Sequence, residues 1–422
     1  MPERKKIVVP RLRFPEFRNA GEWKVAPLKT LAVKRTQRNR DGKLILILTN
    51  SAEMGVVNQR DYFDKDIAVQ GNLNNYLIVG KGDFVYNPRI SASAPVGPIS
   101  RNNIEKGVMS PLYTVFRFNN RNSDFYAHYF KSSAWHSYLR RVGNIGARHD
   151  RMAISNDDFM AMPIPDPLPD EQRKIADCLS SVDEVIELET QKLEVLKTHK
   201  KGLMQQLFPR EGEAIPRLRF PEFRNAGKWE VKRLSNTLHR ISNGLTIAQV
   251  SGSCGVKVTR IETISTGRID PNKVGYVNTD QDITQYKLRI GDILFSHINS
   301  LTHIGKSAYV DKDYNLYHGM NLLRLSVDAE SNDSKFVFYL INTSIFQSSV
   351  RARANQAINQ ASINQTELGQ SCVLIPTKKE QQKIADCLSS LDEVIELEAQ
   401  KLDVLKTHKK GLMQQLFPQE VD

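Results

Sequence analysis

Two stretches of this 422-residue chain collect the side chains best suited to hydrogen-bond chemistry. GNIGARHDR (Gly143–Arg151) carries Arg148, His149 and Arg151, and RARANQAINQASINQ (Arg351–Gln365) carries Arg351, Arg353, Asn355, Gln356, Asn359 and Gln360. An arginine fork matches the O6 and N7 acceptors of guanine, and an Asn or Gln amide matches the donor and acceptor of adenine. A second group follows two Gly-Asp turns. Asn87, Arg89, Ser91 and Ser93 come after GDFVYN in the first half, and His297, Asn299, Ser300 and His303 after GDILFS in the second. Such small polar loops suit base edges or phosphates. Arg35, Arg38 and Arg40 form a basic run suited to phosphate contacts. Solvated loops carry the same residue types, so placement decides between the two readings.

Signatures of catalysis are missing. An adenine methyltransferase needs a glycine-rich cofactor loop and an [N/D]PP[Y/F] tetrad. The nearest match, YNPR at Tyr86–Arg89, has one proline and an arginine where the aromatic belongs. No GxxxxGK[ST] phosphate loop occurs. IPDPLPDEQRK (Ile164–Lys174) fails as a PD…[D/E]xK nuclease motif, because Gln172 stands two residues before Lys174. His149, His297, His303 and His318 lack zinc-ligand spacing. The chain reads as non-catalytic by itself, with no metal and no cofactor of its own.

Composition places the chain in the ordinary globular class: 40% hydrophobic and 25% charged residues, long enough for two or three domains. No apolar run reaches the roughly 18–20 residues of a membrane span, and MPERKKIVVP is no signal peptide. The four cysteines (Cys178, Cys254, Cys372, Cys387) show no CxxC spacing, which suits a reducing cytoplasm. The formal net charge of +12 suggests a polyanionic partner. It is unevenly spread: Lys24–Pro165 holds 20 basic and 11 acidic residues, Glu230–Ile375 15 and 12.

The elements that must position these residues are written twice. RLRFPEFRNAG stands at Arg11–Gly21 and again at Arg217–Gly227. A 39-residue segment, Glu171–Pro209, returns at Glu380–Pro418 with 35 identities. Repeat units of about 209 residues mean a tandem duplication. Each long segment predicts a helix with a 4–3 apolar seam: Ile175, Leu179, Val182, Ile186, Leu193, Leu196, Leu203 and Leu207, then Ile384 through Leu416. Glu189 and Lys200 fill the remaining seam positions of one helix, Glu398 and Lys409 those of the other. An antiparallel pair would set Glu189 opposite Lys409 and Lys200 opposite Glu398. Between the repeats the bodies read as mixed α and β. Strands are expected within Lys43–Asn50, Asn75–Pro88, Leu112–Phe118, Tyr286–Asn299 and Asn321–Val327, and helices over Ser123–Leu139 and Ser334–Val350. At an offset of 209, Ile154 matches Ile363, Asp158 matches Glu367 and Pro167 matches Pro376, so the two candidate stretches occupy equivalent places.

The opening LRFPEF…W motif, the GDFVYN or GDILFS strand, and the P…EQ.KIA.CLS..DE.IEL helix, each present twice, resemble the specificity subunit of type I restriction–modification systems. The resemblance covers nearly the whole chain. It implies an α+β protein: two mixed α/β target-recognition domains in a tandem pseudo-symmetric repeat, joined by two long helices forming an antiparallel coiled coil. The expected divisions are 1–170, the first recognition domain with its motif; 171–209, the central helix; 210–379, the second recognition domain; and 380–422, the C-terminal helix. Each body would read one half of a split double-stranded DNA site. Two methyltransferase subunits would dock on the repeats and restriction subunits would join them, in the cytoplasm and away from membranes. S-adenosylmethionine, ATP and Mg would sit on those partners. A stand-alone DNA-modifying enzyme, or a specificity subunit of a modification-only complex, are the alternatives. The DNA target and its spacer are not written in the sequence.

Overall fold

The computed structural model describes residues 8–62, 73–119, 122–145, 150–252, 254–357 and 360–418. The chain divides into two compact units. One holds the chain up to Thr190 together with everything from Lys401 onward; the other is Gln191–Gln400. Both long segments are single helices, Pro169–Leu207 (the central helix) and Lys378–Leu416 (the C-terminal helix). Each contributes one end to each unit.

In the first unit a four-stranded antiparallel sheet runs in the order Ala32–Arg35, Thr114–Phe118, Phe84–Tyr86, Ile99–Arg101. Its alternate residues Phe84, Tyr86, Phe116 and Phe118 are buried among aromatic rings, with Phe118 stacked on Tyr126 at 3.9 Å between centroids. Lys24–Pro27 pairs separately with Pro163–Asp166, joining the start of the body to its end. Ile175 and Leu179 from the central helix enter this core, as do Met413 and Leu416 from the C-terminal helix and Phe417 just beyond it.

The second unit repeats the plan with Leu238–Asn243, Leu323–Val327, Ile293–Phe295 and Ser307–Tyr309 as its four-stranded sheet. Glu230–Arg233 pairs with Cys372–Ile375. Leu207 at the end of the central helix and Phe208 just beyond it now enter the core, with Ile384, Ala385 and Leu388 from the C-terminal helix.

The repeated eleven residues form a lock in each unit. Arg13 Nε and Nη2 donate to the two carboxylate oxygens of Glu171, both at 2.7 Å, and Trp23 Nε1 donates to the same group at 3.1 Å. Arg219, Glu380 and Trp229 repeat this at 2.7, 2.8 and 3.3 Å. Glu171 and Glu380 lie in the first turns of their helices, where a negative charge is favoured. The Leu12 and Leu218 amides donate to the Gln415 and Gln206 carbonyls, each 3.0 Å away. One short motif thus fastens the start of one long helix to the end of the other.

The two helices pair antiparallel, as expected, but in a register displaced by about one heptad. Glu189 meets Lys401 at 2.5 Å, not Lys409, which pairs with Asp183. Lys200 meets Asp392 at 2.6 Å, not Glu398, which pairs with Lys192. Apolar packing sets this register. Ile175 and Leu179 share a core with Leu412 and Leu416, and a heptad slip would pull the helix ends out of it. The bodies also differ from expectation in detail. The helix expected over Ser123–Leu139 breaks into Ser123–Tyr129 and His136–Val142, because Ser132 Oγ and Trp135 Nε1 capture the Tyr129 and Phe130 carbonyls. Ser334–Val350 breaks likewise into Ser334–Ile341 and Ser344–Arg353, with Thr343 capping the second piece. Of Lys43–Asn50 only the end is strand, at Leu48–Ser51.

Candidate nucleic-acid interface

The two groups of candidate residues in each body prove to be neighbours. In the first body the segment after the Gly-Asp strand lies antiparallel to residues 150–152. Arg89 bridges Arg151, the Ile90 amide donates to the Asp150 carbonyl at 3.0 Å, and the Met152 amide to the Pro88 carbonyl at 2.8 Å. Asn144–Ile145 pairs with Met152–Ala153 on the other side. In the second body Ile298–Asn299, Gln360–Ser362 and Asn355–Ala357 form a three-stranded ribbon in that order. Each body therefore presents a small polar ribbon whose middle strand leads into a short capped helix, Asn156–Met160 or Gln365–Gly369.

Backbone and side-chain anchors hold these ribbons to the sheets. Asn87 Nδ2 donates to the Asn50 carbonyl at 2.8 Å, and its Oδ1 accepts the Arg89 amide at 3.0 Å. The buried Asn50 in turn donates to the Val85 and Pro98 carbonyls. Gly97 sits at φ +81°, where a Cβ would run into the Asn87 carbonyl. Asn87 thus shapes the loop with both ends of its amide. Sequence reasoning missed Asn50, which is isolated in the sequence and found only through its partners. Ser91 Oγ accepts the Ala94 amide at 3.1 Å and lies 3.2 Å from Ser93 Oγ, closing the turn.

In the second body Asn299 donates to Ser296 Oγ at 3.1 Å and accepts the Ser300 amide at 2.8 Å. Ser300 Oγ lies 2.7 Å from His303 Nδ1. The His297 carbonyl accepts the Ile363 amide at 2.9 Å, and burial lowers the pKa of its ring, so the imidazole is neutral at pH 7. Gln356 is exposed on the ribbon's edge strand. Arg351 reaches Ser348 and Arg353 reaches Ser371, both at 3.4 Å. Of the basic run, Arg38 donates to the Asn75 carbonyl at 2.8 Å and Arg35 stands 3.9 Å from Asp83, while Arg40 is exposed. Arg148, His149 and Asn359 lie outside the described residues. Among the described residues no cluster of His, Cys, Asp or Glu is placed to hold a metal ion. No described helix is long and apolar enough to cross a membrane.

A family model described as the type I restriction modification DNA specificity domain matches residues 22–198 and again 227–407. The chain belongs to the type I restriction–modification DNA specificity family. Each copy of the specificity domain starts at the end of an eleven-residue motif and runs down one long helix. Among relatives in Methanocaldococcus jannaschii, a provisionally named MjaX type I restriction enzyme specificity subunit is 43% identical over 196 residues. That match spans 46% of this chain and 46% of the relative, about half the length of each. The MjaVIII specificity subunit is 26% identical over 325 residues, 74% of either chain. The fold resembles the solved S subunit of a type I system from M. genitalium, at TM-score 0.59 and 14% identity over 97% of this chain and 99% of that one. A chain from a structure describing assembly and conformational transition of a type I R-M system gives 0.54 at 16% identity, covering 94% and 97%.

Proposed function

We propose that each ribbon reads one half of a bipartite double-stranded DNA target, and that the chain serves its complex as a recognition and scaffold subunit without catalysis of its own. The observation that carries this reading is the pair of ribbons: equivalent in place, anchored to equivalent sheets, and different in reading chemistry. The first presents Arg89 and Arg151, the second Asn355 and Gln360, and arginine and amide side chains prefer different bases. Arg35, Arg38 and Arg40 lie on the same body as Arg89 and suit phosphate contacts.

Two methyltransferase subunits would dock on the repeated helices. In the first unit Val185, Leu188 and Val404 are 43–67% exposed; in the second, their equivalents Val394, Leu397 and Val195 are 42–67% exposed. Apolar side chains held in water at matching places suit two copies of one partner. S-adenosylmethionine, and ATP with Mg where restriction subunits join, would be bound by those partners. Purified chain should transfer no methyl group, whereas chain assembled with its methyltransferase should methylate adenine in a split motif. Methyl transfer by the chain alone would overturn this reading in favour of a stand-alone enzyme.

A further inference from the structure

The pleat of each ribbon sorts its side chains. On the middle strand of the first body, Arg151 is exposed, Met152 is buried and Ala153 is exposed; on that of the second, Gln360 is exposed, Ala361 is buried and Ser362 is half-buried. Residues directly opposed on paired strands share a face. Asn355 opposes Ser362 and therefore stands on the outward face with Gln360. Gln356 and Asn299 both oppose the buried Ala361 and stand on the other face. Arg89, bridged to Arg151, shares the outward face in the first body.

Counted from the helix caps Arg151 and Gln360 hold the same place, while the strand after the Gly-Asp turn pairs two residues further along in the second body. Each lies four residues before the cap of its short helix. Ser155 Oγ accepts the Asp158 amide at 3.0 Å, and Asn364 Oδ1 the Glu367 amide at 2.8 Å. The repeat offset of 209 carries one position onto the other. Both side chains are left available. Among the described residues Arg151 has Asp150 at 3.9 Å, half exposed, and Arg89 across the bridge, and the Gln360 side-chain amide has no hydrogen-bond partner. Arg89 directly opposite Arg151 sets like charges side by side, an arrangement that is unfavourable without an electron-rich partner between them. Guanine supplies such a partner in its adjacent O6 and N7 acceptors.

Resting on the reading above, we infer that residues 151 and 360 are one specificity position occupied twice, Arg151 with Arg89 selecting a guanine in one half-site and Gln360 beside Asn355 selecting an adenine in the other. The test is the methylation motif, read by sequencing, of the complex assembled with its methyltransferase. R151Q should relax one guanine position in one half-site and leave the other half-site unchanged. Q360R should shift one position of the other half-site from adenine toward guanine. Each should weaken binding to the original site by about 5- to 150-fold. R151K keeps the charge without the fork and should relax the same guanine. Both side chains are exposed, so unchanged melting temperatures should confirm folding. An unchanged motif in all three variants, or uniform weakening on every sequence as for a phosphate contact, overturns this inference and leaves the parent reading standing. A wild-type complex whose motif is not bipartite overturns both.

Discussion

Arg13 and Glu171 lie 158 positions apart and form a bidentate pair with side chains 8% and 1% exposed. Removing one member strands the other as a buried charge, which costs about 3–5 kcal/mol. Arg13→Ala should therefore destabilise the first unit by that amount and leave the second, held by Arg219 and Glu380, unchanged. Arg13→Met combined with Glu171→Leu should recover part of the loss, since the buried Trp23 indole N–H then lacks its acceptor. Unit-resolved hydrogen exchange checks both expectations. The repetition of RLRFPEFRNAG is plain in the sequence, but its role is not, because a lock is defined by a partner far along the chain. The basic run was legible as chemistry and not as geometry. Arg38 spends a donor on the Asn75 carbonyl, whereas Arg40 projects into solvent. Arg40→Ala should weaken binding of the assembled complex to all DNA alike and lower its salt slope by about one. A sequence-selective loss would contradict the phosphate assignment.

The helices show what periodicity can and cannot specify. A 4–3 apolar seam announced both long helices and their pairing, since every seam residue points the same way whatever the partner. Register depends on which leucines share a core, and the leftover acid and base positions gave it one heptad wrong. The helices of the bodies were too short for periodicity to reveal their breaks, which Ser132 and Thr343 impose through local hydrogen bonds. Two of these short helices carry pH dependence. Burial, reinforced by the charge of Lys131, depresses the His128 pKa to about 4, and burial with Arg140 does the same for His136. Both rings are neutral in the fold, while the unfolded chain takes up protons near pH 6.5. Between about pH 6.5 and 4 the unfolded state binds more protons, so stability is complete above this window and falls as pH drops through it. His128 contributes up to about 3 kcal/mol of that loss, and the more exposed His136 less, because solvent screens it. Urea midpoints should fall between pH 7 and pH 4.5, and His128→Gln should flatten the decline in the first unit. A profile of unchanged slope would contradict the assignment.

At the scale of the whole molecule, the duplication is linear in sequence, but each compact unit combines segments of both repeats. Each recognition body is finished by the helix of the other repeat. The chain order of motif, body and helix suggests divisions near 170, 209 and 379, because sequence shows only neighbours along the chain. The first unit instead takes Met413, Leu416 and Phe417 into its core, all nearly inaccessible, from beyond Lys401. Losing large buried side chains costs about 2–5 kcal/mol each. Three such losses are comparable to the roughly 5–15 kcal/mol that holds a typical domain together. Deletion also removes Lys401 and Lys409 from Glu189 and Asp183. The second unit, Gln191–Gln400, is one continuous stretch that contains its own helix ends, Leu207 and Phe208 with Ile384 and Leu388. Truncating the chain after Gln400 should therefore unfold the body at the opposite end of the sequence and spare the nearer one. Limited proteolysis of the truncated chain should cut freely between residues 8 and 190 while 191–400 survives, and a fragment of 191–400 should fold alone. If 8–190 stayed protected without the C-terminal segment, the first core would be self-sufficient and the interleaved division incorrect.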